Sequence, residues 1–232
     1  MSIYETIDQL FEDQKVEEAY DIVKKALTED KENVELLWRY AAACYKCGSK
    51  LNKKEEAKKK TLYLEGREAS VAAYRLNDSH FKVLKWAAIV SGELSDMLGM
   101  KERIEEGYKF KEYLDKALAI DYNESSLFHM RGRFAFSVAN LSWLERKAAA
   151  AFFAEPPTAT IDEALKDFEE CEKLEDGAWL ENNLYLAKCY LQKGNKDSGI
   201  KYLKLAVEME ADDDGERDLQ AEAKKLLEKN SK

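Results

Sequence analysis

Residues 125–174 read SSLFHMRGRFAFSVANLSWLERKAAAAFFAEPPTATIDEALKDFEECEKL. Two stretches with apolar residues at helical spacing flank a segment that closes on Pro156 and Pro157. Gly132 falls on the first helix and Ala164 on the second. Residues this small are wanted where two helix backbones come too close for a larger side chain. The unit is a helix pair packed through small residues, with an insertion from Leu141 to Phe153 between its halves.

The same unit recurs on either side. In the first pair, residues 2–28, Ile3, Ile7, Leu10 and Phe11 are answered by Ala19, Ile22, Val23, Ala26 and Leu27. The second pair, 33–77, opens on VELLWRYAAACYKCG. There Trp38, Ala41, Ala42 and Tyr45 keep the W-x-x-L-G-x-x-Y spacing of a tetratricopeptide repeat. Its second helix is lengthened by the lysine-rich KLNKKEEAKKK. The third pair, 80–120, carries Trp86, Ala87 and Val90, then Phe110, Leu114, Ala117 and Leu118. The fourth is the opening stretch, 124–175. The fifth, 178–210, has Leu186, Ala187 and Tyr190 facing Gly199, Leu203, Ala206 and Val207. A last helix, 216–229, gathers Leu219, Ala223, Leu226 and Leu227 on one face, as expected of a helix that covers the end of a repeat stack.

The small packing residue sets the register. From Ala42 to Ala87 is 45 residues, from Ala87 to Gly132 is 45, and from Gly132 to Ala187 is 55. These steps exceed the usual repeat of about 34, and the excess lies inside the pairs. Only two prolines occur, side by side, so turns are short and polar. The expected fold is all-α: one domain over residues 1–232, a right-handed α-solenoid of tetratricopeptide-like antiparallel helix pairs with inserted helical segments and a C-terminal capping helix.

Composition excludes several functions. Acidic residues outnumber basic ones, 46 to 37, for a net charge of −9, so nucleic acid is not an expected partner. No run of 18 apolar residues appears, so no membrane span is expected. The opening MSIYETIDQLFEDQ is amphipathic and acidic, unlike a targeting peptide, which points to the cytoplasm. Cys44 and Cys47 form a C-x-x-C within a helical pattern, while Cys171 and Cys189 stand alone, so these read as buried thiols and not as a metal site. No Walker loop, nucleophile elbow or dinucleotide fingerprint is present, and neither an enzyme nor a cofactor is expected. His80, after Asp78 and Ser79, reads as the solvated neighbour of a helix cap.

In tetratricopeptide proteins, which the spacing resembles, the first helix of each pair lines a concave groove. Taken relative to the small packing residue, the groove-facing positions are Arg39, Ala43 and Lys46; Leu84, Ala88 and Ser91; His129, Arg133 and Phe136; and Leu184, Lys188 and Leu191. The candidate partner-binding groove is therefore Arg39, Lys46, Leu84, His129, Arg133, Phe136, Leu184 and Lys188. This set holds four cations, one histidine and no carboxylate, which suits an acidic peptide or a phosphate-bearing amphiphile. The alternative is that these cations pair with acids nearby. A secondary basic patch is Lys53, Lys54, Lys58, Lys59 and Lys60. Glu55 and Glu56 interrupt it and can pair along the helix, which would make it an ordinary solvated face.

The run RGRFAF, then WLER, then alanines, then Pro156-Pro157 resembles the regulator-of-microtubule-dynamics family, over nearly the whole chain. Trp143, Glu145, Arg146 and the two prolines carry most of that likeness. The resemblance implies a non-enzymatic, microtubule-associated protein of cytoplasm, cytoskeleton, spindle and spindle poles, active in spindle organisation and chromosome segregation. Its partner would be tubulin, a microtubule or a microtubule-bound protein. Some relatives carry an N-terminal membrane anchor and bind phospholipid, whereas no such anchor is expected from the amphipathic, acidic opening residues here. A phospholipid-binding or transfer module in the same groove is the alternative, with Phe81, Leu84, Phe136 and Leu184 against acyl chains and Arg133 or Lys188 at the head group. A generic protein-binding scaffold is a third reading. Trp143, Leu144, Phe152 and Phe153 of the insertion are expected to be buried, since together they would make a sticky surface.

Overall fold

The computed structural model describes residues 1–152, 158–211 and 214–231, and all regular structure among them is helical. The helices fall into two compact units, Met1–Tyr122 and Asn123–Lys232. Unit one holds α1 (Ile3–Glu12), α2 (Val16–Glu29), α3 (Val34–Ser49), α4 (Glu56–Leu76), α5 (Phe81–Ser95) and α6 (Met100–Ile120). Unit two holds α7 (Ser125–Ala139), α8 (Trp143–Phe152), α9 (Ile161–Glu175), α10 (Leu180–Gln192), α11 (Lys196–Glu208) and α12 (Asp214–Asn230).

Local chemistry starts these helices where the sequence offers caps. Ser2 and Glu5 close a capping box on α1, and Thr160 and Glu163 close one on α9, each satisfying two backbone donors that have no partner in the helix. Asn33 caps α3 through Leu36 N at 3.1 Å. His80 is itself the cap of α5, accepting from Val83 N at 3.4 Å, and not a solvated neighbour of one. Its ring nitrogen Nδ1 replaces the usual side-chain oxygen in that role.

Pairing follows the small residues. Ala42, Ala87 and Ala187 are fully buried, and so is Ala164. Gly132 meets something other than the backbone of Ala164: a Cβ there would sit 2.8 Å from the Phe168 ring on α9. The glycine makes room for a buried aromatic. Gly66 on α4 is a closer backbone approach: a Cβ there would sit 3.0 Å from Cys44 Cβ and 3.4 Å from the Ala41 carbonyl on α3. The 45-residue steps come from α4 and α6, each 21 residues long, and the 55-residue step from α8.

In unit one, Ile7, Ala19, Val23, Leu36 and Ala43 form one core cluster, whereas Ile3 is largely exposed. In unit two, the core runs through Ala164, Phe168, Leu184, Leu186, Leu203 and Ala206, and α12 covers its end with Ala223, Leu219, Leu226 and Leu227. Gln220 secures α12 by donating to the Val207 and Met209 carbonyls at the end of α11, at 3.0 and 2.7 Å. That is the expected capping helix.

The insertion departs from expectation. Trp143 and Leu144 are 69% and 66% exposed. What docks α8 is Ala149, fully buried, together with Arg146. The Arg146 guanidinium donates to the Val138 and Ala139 carbonyls at the end of α7 and to the Leu141 carbonyl just beyond it. With alanine and arginine making the contact, the tryptophan turns to solvent and stacks under Lys147, 4.1 Å from its ring centre. Phe153 lies outside the described residues, as does the Phe152 side chain.

Candidate binding groove

In unit one the first helices of the three pairs, α1, α3 and α5, lie side by side. Arg39 on α3 occupies the middle of this face. Its guanidinium grips Asp8 of α1 in a two-pronged contact at 2.8 and 2.6 Å and Glu35 at 2.7 Å, and lies 4.0 Å from the Trp38 ring. Glu35 in turn faces His80 Nε2 at 3.3 Å. Burial alone would raise the Glu35 carboxyl, but the bonds from Arg39 and Trp38 outweigh it and hold it below the usual range. Arg39 is only 7% exposed, so it is a fastener between repeats and has no face left for a partner.

Unit two repeats the device. Arg133 Nη1 on α7 lies 3.2 Å from Glu181 of α10, and Lys188 of α10 lies 2.8 Å from Glu222 of α12. His129 is buried beneath them. Asn182 spends its Nδ2 on the Phe168 carbonyl at 2.9 Å, so its Oδ1 accepts from His129 Nδ1 at 3.0 Å. Nε2 faces Glu181 at 3.2 Å, off the hydrogen-bond direction. Burial pushes the Glu181 carboxyl up, but His129, Arg133 and Lys188 together bring it below its ordinary value. The groove cations of this unit are joined to carboxylates one helix away, which is the alternative that the sequence left open.

Leu84 and Leu184 are fully buried, as are Ala43, Ala88 and Ser91. They belong to the core, out of reach of a peptide or of acyl chains; Leu84 and Leu184 stand at the same place relative to the packing residue as Arg39 and His129, which are buried too. Phe136 is half-buried against the edge of Tyr185. The lysine run is divided too. Lys54 and Lys58 are exposed, Lys59 lies 5.6 Å from the Tyr63 ring, and Lys60 donates to the Met97 carbonyl at 3.0 Å. Lys53 stands in a short 3-10 turn before α4.

Lys46 is the exception. It is half-buried on α3, with its ammonium 5.6 Å from the Phe11 ring of α1 and 5.9 Å from the Trp86 ring of α5. Among the described residues no carboxylate lies within ion-pair distance of it. Burial, then the ammonium groups of Lys85 and Lys50, hold it below the usual lysine range.

Burial lifts the Cys47 thiol to about 11 and those of Cys171 and Cys189 to about 12, and raises Cys44 as well, so none offers a thiolate at neutral pH. Among the described residues no group of histidine, cysteine and carboxylate side chains could hold a metal, and no helix is long and apolar enough to cross a membrane. A cleft of about 590 Å³ lies among α2, α3 and α4, but its Glu65 already accepts from Tyr20, Tyr40 and Lys24.

The family described as regulator of microtubule dynamics protein 1-3 matches residues 3–231. The chain belongs to that family. It is 36% identical to regulator of microtubule dynamics protein 1 of Caenorhabditis elegans, over 99% of this chain and the whole of that protein. It is 33% identical to protein 2 of Bos taurus over 93% of this chain but 52% of the relative, and 37% identical to protein 3 of Xenopus laevis over 75% and 37%. The chain thus spans the whole nematode protein and about half or less of the other two. Among solved structures, a thermophilic tetratricopeptide protein of Thermus thermophilus superposes with a TM-score of 0.60 at 17% identity, covering 97% of this chain and 98% of that one. A MamA protein superposes at 0.56 and 18%, covering 95% and 93%. These likenesses establish the fold: an all-α solenoid of tetratricopeptide-like helix pairs. Sequence reasoning missed the partners Asp8, Glu181 and Glu222, which stand in other helices. Only Glu35, four residues before Arg39, left a signal along the chain.

Proposed function

We propose that this chain is a non-enzymatic microtubule-associated protein of the cytoplasm and spindle poles. It acts in spindle organisation and chromosome segregation by contacting tubulin, or a protein bound to microtubules, through the faces that the first helices of its pairs form within each unit. Membership of the regulator-of-microtubule-dynamics family over residues 3–231 carries this reading. The paired groove cations support a scaffold role, since a face already cross-linked by ion pairs is rigid and presents a fixed surface. A net charge of −9 opposes long-range attraction to the glutamate-rich tails of tubulin, so recognition rests on short-range contacts. Co-sedimentation with polymerised tubulin tests it. The chain is expected in the pellet, and less of it as salt shortens the screening length below about 8 Å. A chain that stays in the supernatant across a full tubulin titration sinks the proposal.

A further inference from the structure

Of the cations on the first-helix faces, Arg39, Arg133 and Lys188 each have a carboxylate on a neighbouring helix, and among the described residues Lys46 has none within ion-pair distance. An ammonium half-withdrawn from water without a counter-ion is costly, and costlier beside other ammonium groups. Its surroundings are specific. Phe11 and Trp86 flank it from two different helices, Tyr45 stacks at an angle on Trp86 with ring centres 6.0 Å apart, and Lys50 and Lys85 add positive charge. The nearest acid that Lys50 meets is Glu17, 3.8 Å away and largely exposed, while Lys50 also donates to the Gln14 carbonyl.

We propose that Lys46, walled by Phe11 and Trp86, is an anchoring subsite for a glutamate side chain of an extended acidic segment in a partner protein. This deepens the groove reading of function and rests on it. The rings accept the methylene groups of the glutamate while its carboxylate meets the ammonium, and the positive charge of Lys50 and Lys85 strengthens the local field that attracts acids. A phosphate is the poorer fit. Phosphate sites gather several convergent donors, commonly arginine forks or helix N-termini, and a lysine ammonium is a single point charge.

The experiment is calorimetric titration of the full chain with a short acetylated oligoglutamate peptide at low salt, with Lys46→Met and Lys204→Met in parallel. Binding is expected to weaken about tenfold in Lys46→Met, the scale for losing one charge-assisted hydrogen bond, and to be unchanged in Lys204→Met, whose lysine is exposed on α11. Lys46→Met is expected to melt no lower than the natural chain, because it removes an uncompensated cation. Equal affinity in Lys46→Met overturns the site, and so does absence of binding to the natural chain. Displacement of the peptide by inorganic phosphate, but not by chloride at matched ionic strength, overturns the glutamate assignment. Microtubule co-sedimentation of the same proteins separates the two readings. A natural chain that pellets but ignores the peptide leaves the function standing without this site. One that binds the peptide through Lys46 but does not pellet supports the site and removes the microtubule.

Discussion

Lys188 on α10 donates to Glu222 on α12 at 2.8 Å, and its ammonium also lies 4.6 Å from the centre of the Tyr185 ring. The side chain is only 19% exposed, so this contact fastens the terminal helix and does not point at a partner. Reversing one charge sets two like charges against each other. Lys188→Glu and Glu222→Lys are each expected to lower the melting temperature, while the double exchange recovers most of the loss. A coupling of about 0.5–2 kcal/mol is expected for neighbours of this kind, a few degrees at about 2–4 °C per kcal/mol. Additive losses in a melting experiment would show that the two residues do not interact.

Gly132 and Phe168 make a second test. With Cβ of any larger residue 2.8 Å from a ring that is fully buried, Gly132→Leu is expected to cost about 1–3 kcal/mol or more. Shrinking the ring should relieve the crowding, so Gly132→Leu in a Phe168→Ala background should cost less than in the natural chain. Urea unfolding of the four proteins decides it, and equal costs in both backgrounds would place the strain elsewhere.

At the insertion, the exposed tryptophan and the hydrogen-bonded arginine should behave in opposite ways. Trp143→Ala is expected to change stability by less than about 0.5 kcal/mol, as for surface sites generally. Arg146→Ala, which removes the arginine's bonds to the Ala139 and Leu141 carbonyls beside α7, is expected to cost about 1–2 kcal/mol. Chemical denaturation that ranks them the other way would mean that α8 docks through its tryptophan.

Glu106 makes stability depend on acid. It is buried on α6 and accepts from Arg67 at 2.9 and 3.0 Å and from Ser91 at 3.1 Å, with Lys109 at 3.6 Å. Burial raises its carboxyl, but Arg67 and Lys109 outweigh burial and leave it below the usual carboxylate value. A depressed folded-state value means that the unfolded chain takes up the proton first. The stabilisation is therefore whole above the unfolded value of about 4.3 and is lost as pH falls through the folded one. Glu106→Gln is expected to melt lower at neutral pH, because Arg67 loses its partner, yet to lose less on acidification. Melting curves across that window check it, and an unchanged acid slope would exclude Glu106 as a contributor.

Periodicity, caps and small residues are local properties, and they were legible in residues 125–174 and their counterparts. The helix pairs, the long second helices behind the 45-residue steps and the covering role of α12 all follow from which residues recur every three or four positions. Family membership was legible as well, in RGRFAF, WLER and the paired prolines. What the chain alone could not supply was the neighbour of each charged side chain. Arg39 meets Asp8 and Arg133 meets Glu181 only because whole helices are laid side by side in one register, and that register is the sum of many buried contacts. Placement on a helix face had the same limit. Leu84 and Leu184, three residues before their packing residues, and Lys46, four after its own, fall within about 20° of one another on that register, yet the neighbouring helices bury both leucines and leave Lys46 half-buried and within reach of a partner. The exposed Trp143 was likewise decided by tertiary structure, because Ala149 and Arg146 offered α8 a closer fit to its neighbour than the large ring did.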